Sequence, residues 1–168
     1  MGNSTKEHAD KKSLLFVCLG NICRSPAAEG VFLHQLKIQG LENQFLVDSA
    51  GTGGWHVGNR ADARMRAAAK QRGIDLPSRA RQISMEDLKS FDLILTMDED
   101  NLRNVQALAK EAGASASALI KPMLSYASQT TITEVPDPYY GGDAGFEQVL
   151  DLLEDACQGL LSELSKQE

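Results

Sequence analysis

The chain has 168 residues, the length of one domain with one good core. With 42% hydrophobic and 24% charged residues it has the composition of a globular protein, which excludes a disordered chain. A formal net charge of -6 argues against a nucleic-acid partner, which needs a basic surface, and no apolar run approaches the ~18 residues of a membrane helix.

Met1 to Lys12 is polar and has no apolar stretch of the kind an export signal requires, so residues 1–12 read as a disordered, solvated tail. Asn3-Ser4-Thr5 is a glycosylation sequon, which means little without export. Met1-Gly2 lacks the Ser or Thr that myristoylation wants at position six, where Lys6 stands. Three cysteines, an odd number with no CxxC pair, point to a reducing compartment, the cytoplasm, and to reactive or buried thiols. The three histidines are scattered, so no metal site and no cofactor are expected.

The rest, residues 13–168, reads as one domain in which short apolar runs alternate with helical patterns. Ser13 to Cys18 (SLLFVC) is the first buried strand, and Pro26 to Gln39 the first helix, with proline at the first helical position. Phe45 to Ala50 is the second strand. Ala61 to Arg72 is an alanine-rich helix closed by Gly73, and Ser84-Met85-Glu86-Asp87 is a capping arrangement for a short one. Asp92 to Met97 is the third strand, followed by a helix from Asp98 to Ala112 that Gly113 ends. Ala118 to Leu124 is the fourth strand, which Pro122 places at an edge or ends early. The last helix, Ala144 to Leu164, carries an apolar stripe of Phe146, Val149, Leu150, Leu153, Cys157, Leu160, Leu161 and Leu164, with Cys157 as plain core. This alternation predicts the α/β class: a four-stranded parallel twisted sheet with helices on both faces, a Rossmann-like three-layer domain. Ligands of such sheets sit beyond the carboxyl ends of the strands, which directs attention to the segments just after Cys18, Ala50 and Met97.

The first of these is the informative one: Cys18-Leu19-Gly20-Asn21-Ile22-Cys23-Arg24-Ser25-Pro26. A loop curling between a strand and a helix start aims successive backbone N–H groups, from Leu19, Gly20, Asn21, Ile22, Cys23, Arg24 and Ser25, at one point near the positive end of the helix. That is an anion site, suited to phosphate. Cys18 lies beneath that anion, where amides, helix terminus and the Arg24 guanidinium all favour a sulfur anion over a thiol. Arg24 offers a rigid fork able to hold two phosphate oxygens, which a lysine cannot copy. Gly20 permits a left-handed or crowded backbone, Asn21 suits local bonds that pin a tight loop, and Ser25 both caps the helix and brings a hydroxyl near the Cys18 sulfur. Downstream, Asp137 between Pro136 and Pro138 is a carboxyl on a stiffened loop, able to protonate a leaving group and then take a proton from water. Trp55, Tyr139 and Tyr140 stand out in a chain only 5% aromatic, and stacking on a phenol is worth roughly 0.5–1.5 kcal/mol beyond burial. The arginines from Arg60 to Arg81 form a basic stretch open to two readings: a solvated helix face, or partners for acidic residues beside a substrate tyrosine.

Cys-x5-Arg-Ser near the N-terminus with a late Asp137-Pro138-Tyr139-Tyr140 resembles the low-molecular-weight protein tyrosine phosphatase family. Asp48-Ser49-Ala50-Gly51 leading to Trp55, Ala80-Arg81-Gln82-Ile83, and Phe91-Asp92 through Met97-Asp98-Glu99 with Asn101-Leu102 extend the likeness over roughly 14–161. The resemblance implies a metal-independent phosphatase acting on phosphotyrosine proteins through a cysteinyl-phosphate. In it Cys18 is the nucleophile, Arg24 the phosphate ligand, Asp137 the general acid and Ser25 the hydroxyl that assists the thiolate. Asn21 and Ser49 brace the loop, and Trp55, Tyr139 and Tyr140 line the substrate cleft. It also implies inhibition by phosphate, vanadate and similar oxyanions, and a monomer. Cys23, five residues from the nucleophile, can form a protective disulfide with Cys18 in the family's manner. The chain departs from some members at Arg72, where they have His before the glycine, and in the glycine-rich run Gly51 to Gly54, which implies a mobile wall at Trp55. Two rivals remain: an arsenate reductase of the same fold, which would need further cysteines that Ala80 to Asp100 lacks, and a phosphate-binding module without catalysis.

Overall fold

The computed structural model describes residues 11–139 and 141–166. The segment read as a tail falls outside the described residues as far as position 10, and Lys12 already pairs with Phe45 in the sheet. Four strands, β1 (Lys12–Cys18), β2 (Phe45–Gly51), β3 (Leu93–Thr96) and β4 (Leu119–Pro122), lie in the order β2-β1-β3-β4, all parallel. The helices are α1 (Arg24–Gln39), α2 (Ala63–Lys70), α3 (Met85–Ser90), α4 (Glu99–Ala112) and α5 (Asp143–Ser165). Among the described residues no helix is long and apolar enough to cross a membrane.

Side chains alternate across a strand, and β1, central and apolar throughout, feeds two cores. Leu14, Phe16 and Cys18 face one cluster with α1, α2 and α5, where Phe32 packs on Phe16 and edge-on to Phe45. Leu15 and Val17 face the other, with Ile94, Leu88 of α3 and Val105 of α4. Those are the three layers the alternation predicts. The stripe on α5 is buried from Phe146 to Leu164, Cys157 included.

The boundaries differ from the sequence reading for local reasons. Helix α1 begins at Arg24, so Pro26 is its third residue, still among the four whose N–H has no partner in the helix. Helix α2 is shorter than expected because Asp62 caps it, its carboxylate accepting from the Arg64 N–H at 2.8 Å. Pro122 ends β4 as well as occupying the edge, and a 3-10 turn, Met123–Tyr126, comes next.

Candidate active site

The carboxyl ends of β1 and β2, the start of α1 and the loop before α5 surround a cavity of about 340 Å³. Cys18, Leu19, Gly20, Ile22, Cys23 and Arg24 line one side of it, and Trp55, His56, Asp137 and Tyr139 the rest. Tyr140 lies outside the described residues. Asn21, Ser25 and Ser49 are not on the cavity surface but beneath it, almost wholly buried.

The buried side determines how the loop holds its shape. Asn21 adopts φ +58°, and it, not Gly20, is the left-handed residue of the loop. Gly20 serves close approach instead: a Cβ there would stand 3.0 Å from the His56 ring. The Asn21 side chain is oriented by the Arg81 backbone N–H, which donates to Asn21 Oδ1 at 3.0 Å. Its Nδ2 therefore faces two hydroxyls, donating to Ser25 Oγ at 2.7 Å and to Ser49 Oγ at 3.0 Å. Ser49 passes its own proton on to Glu29 Oε1 at 2.6 Å. Ser25 Oγ, already accepting from Asn21, stands 3.0 Å from Cys18 Sγ, and the Asn21 backbone N–H donates to the same sulfur at 3.3 Å. Ser25 Oγ also lies 3.4 Å from the Ala50 carbonyl, so its proton faces two acceptors, the sulfur and that carbonyl, and it does not cap α1, which starts without any side-chain cap. The amide of Asn21, fixed at both ends, is what lets this buried polar network specify a single loop conformation.

Arg24 is 3% exposed. Its Nη1 donates to Asp98 Oδ2 at 2.6 Å and to the Val135 carbonyl at 3.1 Å, and its Nη2 lies 3.8 Å from Asp137 Oδ2. Burial opposes the charge on Arg24, but Cys18, Asp98 and Asp137 outweigh it and hold its pKa above the ordinary arginine value. Asp137 is fixed by its own turn, Oδ1 accepting from the Tyr139 N–H at 3.0 Å. Arg64, paired with Asp62, donates to the Tyr139 carbonyl at 3.1 Å and lies over the rings of Tyr139 and Phe146. Cys23 is a free, buried thiol whose pKa is pushed up to about 12 by burial, with Asp62, Cys18 and Asp137 adding to it. Among the described residues no group of three His, Cys, Asp or Glu side chains could hold a metal ion.

One expectation is corrected. The arginines of 60–81 are chiefly internal ties: Arg66 donates to the Ala61 carbonyl, Arg79 to that of Gly58, Arg81 bridges Asp48 and Asp87, and Arg72 bridges Glu147, Asp151 and Glu154 of α5. At the wall carrying Trp55 the glycines permit close approach: a Cβ at Gly51 would stand 2.7 Å from the Leu19 carbonyl and one at Gly53 1.9 Å from the indole. Sequence reasoning missed His56, Asp98 and Glu29. Asp98 lies just past the carboxyl end of β3, where the strand-end rule pointed. Glu29 carried no signal, because a helical glutamate reads as surface.

A strand, an anion-shaped loop and a helix start, with a cysteine below and an arginine and carboxyl above, define a class: α/β proteins that handle phosphate on a cysteine. The chain belongs to the low molecular weight phosphotyrosine protein phosphatase family, whose profile matches residues 13–168. The low molecular weight phosphotyrosine protein phosphatase of Schizosaccharomyces pombe is 45% identical over 153 residues, covering 90% of this chain and 96% of that one. The protein tyrosine phosphatase of Entamoeba histolytica, solved with Hepes in its active site, superposes with a TM-score of 0.88 at 43% identity, over 93% of this chain and 98% of that one. A Drosophila arginine phosphatase superposes with 0.85 at 33% identity, over 90% and 96%.

Proposed function

We propose that this chain is a metal-independent hydrolase that removes phosphate from tyrosine in proteins through a cysteinyl-phosphate on Cys18. The observation that supports it most is the position of Cys18 Sγ in the cavity lining, 3.0 Å from the Ser25 hydroxyl, with Arg24 and Asp137 lining the same cavity. The phosphate dianion sits in the loop of amides from Leu19 to Ser25, held by the Arg24 guanidinium. The Cys18 thiolate attacks phosphorus, the bond to the phenolic oxygen breaks, and Asp137 protonates the leaving phenol. Water then attacks the phosphocysteine while Asp137, now a carboxylate, takes its proton. The S–P bond breaks and the Ser25 O–H stabilises the returning thiolate. Inorganic phosphate leaves, so phosphate, vanadate and similar oxyanions compete for the same loop. Trp55 and Tyr139 wall the phenol. The enzyme acts as a monomer in the cytoplasm, where its three free thiols stay reduced.

The test is steady-state hydrolysis of p-nitrophenyl phosphate, a phosphotyrosine peptide and a phosphoarginine peptide. Wild type is expected to turn over the first two, and Cys18→Ser neither. Binding of the phosphotyrosine peptide without turnover by wild type would establish the non-catalytic module, and preference for phosphoarginine would move the substrate class to that of the Drosophila structure. The arsenate reductase reading lacks a relay thiol, because Cys157, besides the two loop cysteines, is wholly buried against the Ala28 carbonyl.

Cys23 has a separate role as the protective partner of an oxidised Cys18. Mild peroxide is expected to inactivate wild type reversibly, with thiol reductant restoring it, and Cys23→Ser irreversibly. Equal recovery of the two proteins would remove that role.

A further inference from the structure

On the far side of Trp55 a second concavity of about 330 Å³ opens between the Gly51–Gly54 turn, the Gln82–Ile83 segment and α4. It is not a separate site in the usual sense, because Leu19 and Trp55 line both this concavity and the catalytic cavity. The indole is 71% exposed and Leu19 42%, a large apolar ridge that the fold leaves uncovered. The ridge is held in place: with 1.9 Å between the indole and where a Gly53 Cβ would be, the ring lies directly on the backbone.

The second concavity is distinguished by what it lacks. In a chain with 24% charged residues, none of its lining residues is ionisable. Ile83 and Leu108 contribute apolar surface continuous with the second core cluster. Gln82 and Asn104 supply side-chain amides, the first already fixed by donating to the Thr52 carbonyl at 3.1 Å. Apolar surface with a few amides, free of charge, suits a peptide segment with an uncharged side chain.

We propose that this concavity is a specificity subsite that seats an apolar side chain of the polypeptide substrate within two residues of the phosphotyrosine. The inference rests on the proposed phosphotyrosine activity. A phosphotyrosine ring in the catalytic cavity has Leu19 and Trp55 as one wall, and the chain that carries it must pass over the rim. Extended peptide advances about 3.3–3.6 Å per residue, so a neighbour one or two positions away spans the width of the indole and drops into the second concavity. An apolar side chain there loses water on both faces of the ridge, whereas a charged one is desolvated with no counter-charge among the lining residues.

The experiment walks leucine, and then aspartate, through the two positions on each side of phosphotyrosine in an otherwise uncharged peptide. The readout is kcat/KM, with p-nitrophenyl phosphate, which fills only the catalytic cavity, as control. Wild type is expected to favour leucine over aspartate by about tenfold at one of the four positions, the scale of one partly buried leucine. Leu108→Asp should abolish that preference and leave p-nitrophenyl phosphate turnover unchanged. Asn104→Glu, an exposed substitution that cannot unfold the core, should do the same. A preference that survives both variants, or its absence at all four positions in wild type, overturns the subsite. Turnover of p-nitrophenyl phosphate with none of any phosphotyrosine peptide overturns the polypeptide substrate, and the subsite with it.

Discussion

The two sides of the catalytic cavity are built by opposite means. On the Cys18 side, Asn21, Arg24, Ser25 and Ser49 are each no more than 3% exposed, and the side chains of Asn21, Ser25 and Ser49 are bonded to one another. On the Asp137 side, the described residues between 127 and 142 form no helix or strand, and Val135 and Pro138 are the buried positions among them. These two flank the acid, tied by the Val135 N–H to the Met97 carbonyl at 2.8 Å and by Arg24 to the Val135 carbonyl. A nucleophile that must meet phosphorus in line gains from a fixed frame. A carboxyl that gives and later takes a proton needs only to be delivered to the right place, and a loop pinned on both sides does that.

The contrast predicts that the two sides fail differently. Asp137→Asn removes the proton donor and base but touches little else, since Asn accepts the Tyr139 N–H equally well. It should cost on the order of 10²-fold in kcat on phosphotyrosine peptides, less on p-nitrophenyl phosphate, whose leaving group needs less protonation, with Tm unchanged. A matching loss on both substrates, or a lowered Tm, would erase the distinction. Asn21→Ala should lower rate and stability together. It strands the Arg81 N–H and takes the donor from Ser25 and Ser49, at about 1–3 kcal/mol for a buried group left unpaired, and it holds an alanine at φ +58°, at roughly 1–2 kcal/mol. Asn21→Gly relieves the second cost and not the first, so denaturant unfolding of the pair separates network from strain. If alanine and glycine prove equal, backbone strain plays no part.

How much of this the sequence discloses follows the same division. The sheet and its two cores are legible in β1, because the unbroken apolar run SLLFVC is a local signal of a strand buried on both faces and the helix patterns between strands imply a parallel crossover. The cavity-facing residues are legible because Cys18, Arg24, Trp55 and Asp137 carry chemistry in their side chains. What supports them is not. That Asn21 rather than Gly20 takes the left-handed turn depends on Arg81, sixty residues away, offering a backbone N–H. That Arg72 ties the turn after α2 to α5 depends on Glu147, Asp151 and Glu154 arriving on one face of a helix 75–82 positions later. A basic run reads as solvated until the partners that neutralise it are in place, and no window of sequence contains them.

Glu29 shows where the buried network can be probed without breaking it. Burial raises its carboxyl above the usual carboxylate range, and Asp48 adds to that. Hydrogen bonds from Ser49 and Ser78 and the Arg81 guanidinium, itself shared with Asp48 and Asp87, pull the other way without cancelling it. The folded protein therefore keeps the Glu29 proton to a higher pH than the unfolded chain does. Between the two values the folded state binds more protons, so stability falls as pH rises through that window, and above the folded value the penalty is complete. Glu29→Gln has no proton to lose, yet its Oε1 still accepts from Ser49. The Tm of the variant minus that of wild type should therefore climb as pH rises from the ordinary carboxylate range through the raised one, then level off, while kcat changes by no more than a few-fold. A difference that is flat with pH would mean Glu29 titrates as it does in the unfolded chain, and the charge at the end of the Cys18 network would then carry no energetic penalty in the fold.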